Sequence, residues 1–246
     1  MHFHVITLFK DAVDSYVNES ILGRAQGEGK IKVSYYNPRE FSEKKVAYID
    51  GKPYGGGPGM VLQALPFIKA VEKALKGKKR PSEAMTERER GNTEASKLNV
   101  GSTEASRPNV RTKVILFSPR GKQFTNEYAK KLAKNYKDIV LIAGRYEGID
   151  ARVKKVLKAE EVSVGPYVLT GGEIPAAIVI DTVARQLPGV LGNFGSREEA
   201  RVASGEVYTR PEILEHKGKK YRVPKVLLSG HAKKIEEWRK KNSNVI

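Results

Sequence analysis

The 246-residue sequence predicts an α/β domain built on a mostly parallel sheet. Three observations carry that expectation. "KVILFSP" (113–119) and "IVLIAG" (139–144) are short, β-branched, apolar runs bounded by turn residues, the pattern of strands buried inside a parallel sheet. Helical periodicity lies between such runs, and strands alternating with helices favour parallel pairing. Finally, three strand-like segments end in Gly- or Pro-bearing turns: "SPRG" (118–121), "GRYEG" (144–148) and "VGPYVLTGGEIP" (164–175). Such turns collect at the carboxyl edge of a parallel sheet.

The remaining elements follow in chain order. "HFHVITLF" (2–9) alternates as a strand does. Asp11 to Leu22 puts Ala12, Val13, Tyr16, Val17, Ile21 and Leu22 on one helical face, which predicts a single helix. "IKVSYYN" (31–37) reads as a second strand. "YGGGPGM" (54–60) holds four glycines and a proline and reads as a loop. A helix follows with Phe67, Ile68, Val71, Ala74 and Leu75 at helical spacing. Thr125 is placed to cap another helix, which uses Tyr128, Leu132 and Tyr136. The stretch from Ser163 to Asn193 begins as a strand, passes through Gly171 and Gly172, and becomes an apolar helix with Pro175 in its first turn. That helix ends at Arg185, before a Pro-Gly pair.

Two segments break this pattern. "GNTEASKLNV" (91–100) is repeated as "GSTEASRPNV" (101–110), with seven of ten positions identical. Two copies are too few for a solenoid, so a surface insertion without a catalytic role is expected. "GNFGSREEARVASGEV" (192–207) has the small, polar composition of a linker. Residues 208–246 carry a net charge of +7 and little apolar content, a basic binding module by composition. The expected organisation is a main domain over 1–191, a linker over 192–207 and a small, mainly helical domain over 208–246.

The whole chain carries a net charge of +17, which favours a polyanionic partner through counterion release. Cysteine is absent, so disulfides and thiolate metal sites are excluded. The four histidines stand at 2, 4, 216 and 231, and no pair has a zinc-site spacing followed by a carboxylate partner. No metal centre is therefore expected. There is no apolar run of membrane-spanning length and no basic-then-apolar leader, so a soluble cytoplasmic protein is expected.

Glycines at strand ends let backbone approach a ligand and present amides and carbonyls to it. Loops of this kind suit a flat, neutral heterocycle. No G-x-x-x-x-G-K-[ST] or G-x-G-x-x-G follows a strand, so the P-loop and Rossmann readings fail. Taken singly, each loop is as well explained by an ordinary turn.

Their combination is more specific. "YGGGPGM", "GRYEGID", "VLTGGEIPA" and "PGVLGN" occur in this order and at suitable separations, with "YTRPE" at 208–212. Together they resemble the bacterial tRNA (guanine-N1)-methyltransferase family of the knotted, SPOUT-class methyltransferases. The resemblance covers most of 1–80 and 112–193. It implies a deep trefoil knot, a homodimer with active sites at the subunit interface, and methyl transfer from S-adenosylmethionine to N1 of guanosine 37 in tRNA. The cofactor pocket it implies is Pro119 and Gly121 on the first loop and Gly144, Tyr146 and Gly148 on the second. The third loop adds Val164, Gly165, Pro166, Tyr167, Val168 and Leu169, then Gly171, Gly172 and Pro175. Pro166 departs from the family, which often carries an acidic residue there, and removes an amide donor.

Methylation at N1 of guanine needs a base near N1 and positive charge near O6. By resemblance, Arg185 takes the O6 role and Glu147 is directed toward the target base. Arg185 also suits a plain structural role, as a cation at a helix C-terminus. The family's base is an aspartate in the interdomain linker, but residues 192–207 contain no aspartate. Glu198 or Glu199 could fill the role with one extra methylene. An ungapped alignment from Arg185 puts Ala200 at the position, which favours the adjacent Glu199. Linker and C-terminal domain are both shorter than in the family. Alternative readings are a knotted methyltransferase acting on another RNA position, and a cofactor- and RNA-binding module that has lost turnover. The sequence does not decide whether Mg2+ takes part.

Overall fold

The computed structural model of the protein describes residues 1–42, 48–76, 112–191 and 206–242. The 91–110 repeat, Glu198 and Glu199 lie outside the described residues. The chain divides into two compact units, Met1–Val190 and Leu191–Ile246.

The first unit holds a five-stranded sheet in the order β2-β1-β6-β5-β7. Its strands are β1 (His2–Ile6), β2 (Lys32–Tyr36), β5 (Thr112–Gln123), β6 (Asp138–Ile142) and β7 (Glu160–Ser163), and every pairing is parallel. A short antiparallel pair, β3 (Asp50–Gly51) and β4 (Val61–Leu62), stands apart from it. The α/β class and parallel sheet match the expectation.

Side chains alternate across the sheet and sort into two cores. Phe3, Val5, Ile139 and Leu141 are packed by α1 (Asp11–Val17), α4 (Asn126–Asn135) and α6 (Glu173–Ala184). Ile6, Val140 and Ile142 face the other way, onto α3 (Ala64–Ala74) and α5 (Arg152–Leu157). Phe67, Ala70 and Val71 are the buried stripe of α3. The Thr125 hydroxyl accepts from the Tyr128 amide at 3.2 Å, the expected cap of α4.

Three details differ from the sequence reading. The helix expected over Asp11–Leu22 is two, α1 and α2 (Ser20–Gly27). Gly23 sits so close to the turn that a Cβ there would lie 2.1 Å from the Asn18 carbonyl oxygen. As a result Tyr16 and Ile21 are exposed, while Val13, Val17 and Leu22 are buried. Secondly, "SPRG" does not end its strand. Phe117 and Lys122 both register with Val162, so Ser118–Gly121 is an excursion from which β5 resumes. Gly121 lies on the Val162 backbone, where a Cβ would meet its nitrogen at 2.4 Å.

Thirdly, the second unit, expected to be mainly helical, also holds strands. Besides α7 (Lys225–Leu228) and α8 (Ala232–Lys241) it has a hairpin, β8 (Ile213–His216) with β9 (Lys219–Arg222). Lys217 and Gly218 have φ of 50° and 73°, the positive pair that a tight two-residue hairpin turn requires. No described side chain of this unit is buried.

Glu160 ties three elements of the main unit together. Lys113 of β5 pairs with it, and the Tyr128 hydroxyl of α4 donates to it at 2.7 Å. Partial burial pushes the Glu160 pKa up, but the hydrogen bonds from Lys113 and Tyr128 outweigh this and hold it below the ordinary glutamate value. A carboxylate depressed on folding adds stability above its unfolded pKa and loses it as pH falls through the folded pKa. Glu160→Gln should therefore lower the melting temperature at neutral pH, and the gap from wild type should close below the ordinary carboxylate range. Thermal melts of both proteins across acid pH check this; a gap that stays constant contradicts it.

Candidate functional site

The loops of interest lie at the carboxyl edge of the sheet. There β6 runs into Ala143 and Gly144, and the start of α6 docks on them. The Gly172 amide donates to the Gly144 carbonyl at 2.9 Å, and Arg145 bridges to Gly171. A Cβ on Gly172 would lie 2.5 Å from the Ala143 Cα, and one on Gly171 would lie 2.4 Å from Arg145 Nε. The double glycine exists because backbone crosses backbone here without room for a side chain.

The residue after the glycines locks the corner. Glu173 is 2% exposed. Thr7, just past β1, donates its hydroxyl to Glu173 Oε1 at 2.8 Å, and Arg145 Nε stands 3.0 Å from Oε2. The Thr7 oxygen also accepts from the Phe9 amide, and the Arg145 guanidinium lies over the Phe9 ring, 4.7 Å from its centre. A carboxylate in the first turn of α6 also meets the positive end of the helix dipole. Thr7, Arg145 and Glu173 were not singled out from sequence. The one available signal was a glutamate opening an otherwise apolar helix.

The 54–60 loop seats the second strand-end loop. The Glu147 amide donates to the Met60 carbonyl at 3.0 Å, and the Leu62 amide to the Gly148 carbonyl at 3.0 Å. Gly59 has φ of +85° and lies against the Glu147 carboxylate, which a Cβ would meet at 2.6 Å. Tyr146 is left-handed, with φ of 59°, and its ring and Glu147 face solvent.

In the third loop the Ser163 hydroxyl donates to the Gly165 carbonyl at 2.9 Å. Tyr167 folds over Gly165 with its hydroxyl 3.3 Å from the Val164 carbonyl. Pro166, Tyr167, Val168 and Leu169 are exposed, whereas Pro175 is buried in the first turn of α6. The structure thus brings the Gly144–Gly148 loop and Gly171–Gly172 into direct contact, while Pro119 and Gly121 sit on the β5 excursion beside β7.

Arg185 is not brought to this edge. It caps α6, whose 12 residues carry it about 20 Å from Gly172 along the helix axis. Just beyond, the Gly189 carbonyl accepts from Lys30 at 2.6 Å, and the Lys30 carbonyl accepts from the Met1 amino group. Met1 and Lys30 lead into β1 and β2, so Arg185 belongs to the amino edge. Glu147 and Arg185 of one chain therefore stand at opposite edges of the sheet.

The model of the family described as tRNA (Guanine-1)-methyltransferase TrmD matches residues 1–245. The chain belongs to this tRNA (guanine-1)-methyltransferase family. Similar proteins include three named tRNA (guanine-N(1)-)-methyltransferase. The one from Pseudoalteromonas atlantica is 39% identical over 245 residues, 98% of this chain and 79% of the relative. That from Thermomicrobium roseum is 40% identical over 243 residues, 98% of this chain and 78% of its own. That from Anoxybacillus flavithermus is 40% identical over 247 residues, 99% and 86% respectively. No helix among the described residues of this family member is long and apolar enough to cross a membrane.

The buried corner yields a stability test. Thr7→Val keeps the side-chain shape and removes a hydrogen bond to a buried carboxylate, a loss of about 2 kcal/mol. The melting temperature should fall by roughly 4–8 °C for a domain of this size. Thr7→Ser should retain most of the difference. A Thr7→Val protein that melts with wild type would show that the corner does not depend on this bond.

Proposed function

We propose that the protein transfers a methyl group from S-adenosylmethionine to N1 of guanosine 37 in tRNA. The observation that carries this reading is the loop cluster at the carboxyl edge, in a chain that belongs to the family from residue 1 to 245. The same edge fits the cofactor. Gly144, Gly171 and Gly172 bring backbone together, and Tyr146, Tyr167, Val168 and Leu169 leave apolar surface exposed beside it. A flat, neutral heterocycle suits that surface. In this reading the three loops form the trefoil knot, and the cofactor is held by Pro119, Gly121, Gly144, Tyr146, Gly148, the run Val164–Leu169, Gly171, Gly172 and Pro175.

When bound, S-adenosylmethionine supplies an electrophilic methyl group. The chain's own groups manage charge and protons. Glu147, seated by Met60 and Gly59, orients the target base. The Arg185 guanidinium offsets negative charge growing on O6 as N1 loses its proton. Glu199 takes that proton as general base, with Glu198 beside it as the other candidate.

Because Arg185 stands at the far end of α6 from its own loops, the working unit is a homodimer in which one copy supplies Arg185 to the loops of the other. Phe9, Tyr16 and Ile174, in and beside α1 and α6, expose apolar surface suited to such a contact. Residues 1–191 then form the cofactor domain, 192–207 the linker carrying the base, and 208–246 the basic module that holds the anticodon arm. The reaction belongs in the cytoplasm, with its tRNA substrate.

Incubation with methyl-labelled cofactor and unmodified tRNA bearing guanosines at 36 and 37, with and without Mg2+, tests this. The nucleoside recovered should be 1-methylguanosine from position 37. Label elsewhere would reveal another RNA target, and binding of both ligands without transfer would reveal a module that has lost turnover. Glu199→Gln should lower kcat by about 100-fold or more, with Glu198→Gln within a few-fold of wild type; the reverse pattern reassigns the base. Binding of tRNA should weaken steeply with salt, while cofactor binding barely moves.

A further inference from the structure

We propose that His2, His4 and Asp138 form a site for a divalent transition ion of the zinc type, at the opposite edge of the sheet from the loops. His2 and His4 are two residues apart on β1 and so share a face. The parallel register sets His2 opposite Asp138, the first residue of β6. Both rings then converge on one carboxylate oxygen: His4 Nε2 is 2.9 Å from Asp138 Oδ1 and His2 Nδ1 is 3.8 Å from it. The three ligand atoms lie within 4.8 Å of one another. Ligands about 2.0–2.1 Å from a tetrahedral ion stand about 3.4 Å apart, so the His4–Asp138 pair must open by about half an ångström and His2 must close on both to admit one.

The surroundings match a ligand set as well. His4 and Asp138 are 1% and 4% exposed, whereas the His2 side chain is 23% exposed and leaves a side for ion entry and a solvent ligand. The rear nitrogen of each ring meets a hydroxyl of β2. His2 Nε2 is 2.8 Å from Ser34 Oγ, and His4 Nδ1 is 3.3 Å from the Tyr36 hydroxyl. A hydroxyl accepts as readily as it donates, so each can hold the rear N–H and leave the front lone pair for the ion. On ion binding the His4 proton moves from Nε2, where it faces Asp138, to Nδ1, where Tyr36 accepts it. Imidazole nitrogens select zinc or cobalt over Mg2+.

His2 lies about 13 Å and His4 about 7 Å along β1 from Ile6, so the site sits away from the methyl-transfer loops and does not depend on that reading. An ion here would tie β1 to β6 and, through the hydroxyls, to β2. Sequence spacing could not reveal it, because the carboxylate is 134 residues from His4.

Tag-free, chelator-treated full-length protein should take up one Zn2+ per chain in calorimetry, and Co2+ should give the visible absorption of a low-coordinate site. At about 100-fold excess over Kd, Zn2+ should raise the melting temperature by roughly 5–10 °C, while Mg2+ should not. His2→Gln leaves the buried His4–Asp138 pair in place, so it should stay folded by circular dichroism and bind Zn2+ at least 10-fold more weakly. Asp138→Asn should also weaken binding, and a double His216→Gln, His231→Gln variant should bind as wild type. No uptake by wild type, or undiminished uptake by folded His2→Gln, overturns the proposal.

Discussion

One buried carboxylate organises the carboxyl edge of the sheet. Glu173 accepts from the Thr7 hydroxyl on Oε1 at 2.8 Å, and the Arg145 guanidinium stands 3.0 Å from Oε2 as its ion-pair partner. A buried charge is tolerated only when it is paired and hydrogen-bonded, so the end of β1, the loop after β6 and the start of α6 must meet at one point. Gly171 and Gly172 make that meeting possible by removing the atoms that would collide. Neither feature suffices alone: the glycines permit the approach, and the carboxylate fixes it.

The joint has a consequence at a distance. With its first turn anchored, α6 must run back along the sheet, and it carries Arg185 to the amino edge. Its sides are apolar nearly all round: Ala176, Val179, Ile180 and Val183 are buried, while Ile174 is more than half exposed. A helix of that kind covers its own sheet and still offers surface to a second body. In the proposed reading, the separation of Arg185 from Glu147 and the exposed apolar surface on the same helix would both follow from a site assembled from two copies of the chain.

The central strands were legible in the sequence because both their faces are buried, which makes "KVILFSP" and "IVLIAG" continuous apolar runs. Thr125 as a cap and the glycine pair as a point of close approach were legible for local reasons of the same kind. What escaped was set by partners far along the chain. The break between α1 and α2 turns on how Gly23 packs against Asn18. The β5 excursion depends on Val162 pairing with two residues of one strand. Thr7 and Glu173 are 166 residues apart, and neither carries a local mark of the other. The His2–His4–Asp138 cluster needs the parallel register of β1 and β6. Glu198 and Glu199 rest on sequence alone.

The claim that the site is completed by a second copy is tested most directly by subunit complementation. Arg185→Ala and Glu147→Ala chains, each close to inactive by itself, are co-expressed, and the mixed dimers are assayed for methyl transfer to tRNA. If Arg185 serves the loops of the other copy, each mixed dimer holds one intact site, and random pairing restores about a quarter of wild-type activity. If Arg185 and Glu147 of the same chain act together, every site carries one lesion and no activity returns, which would contradict the account.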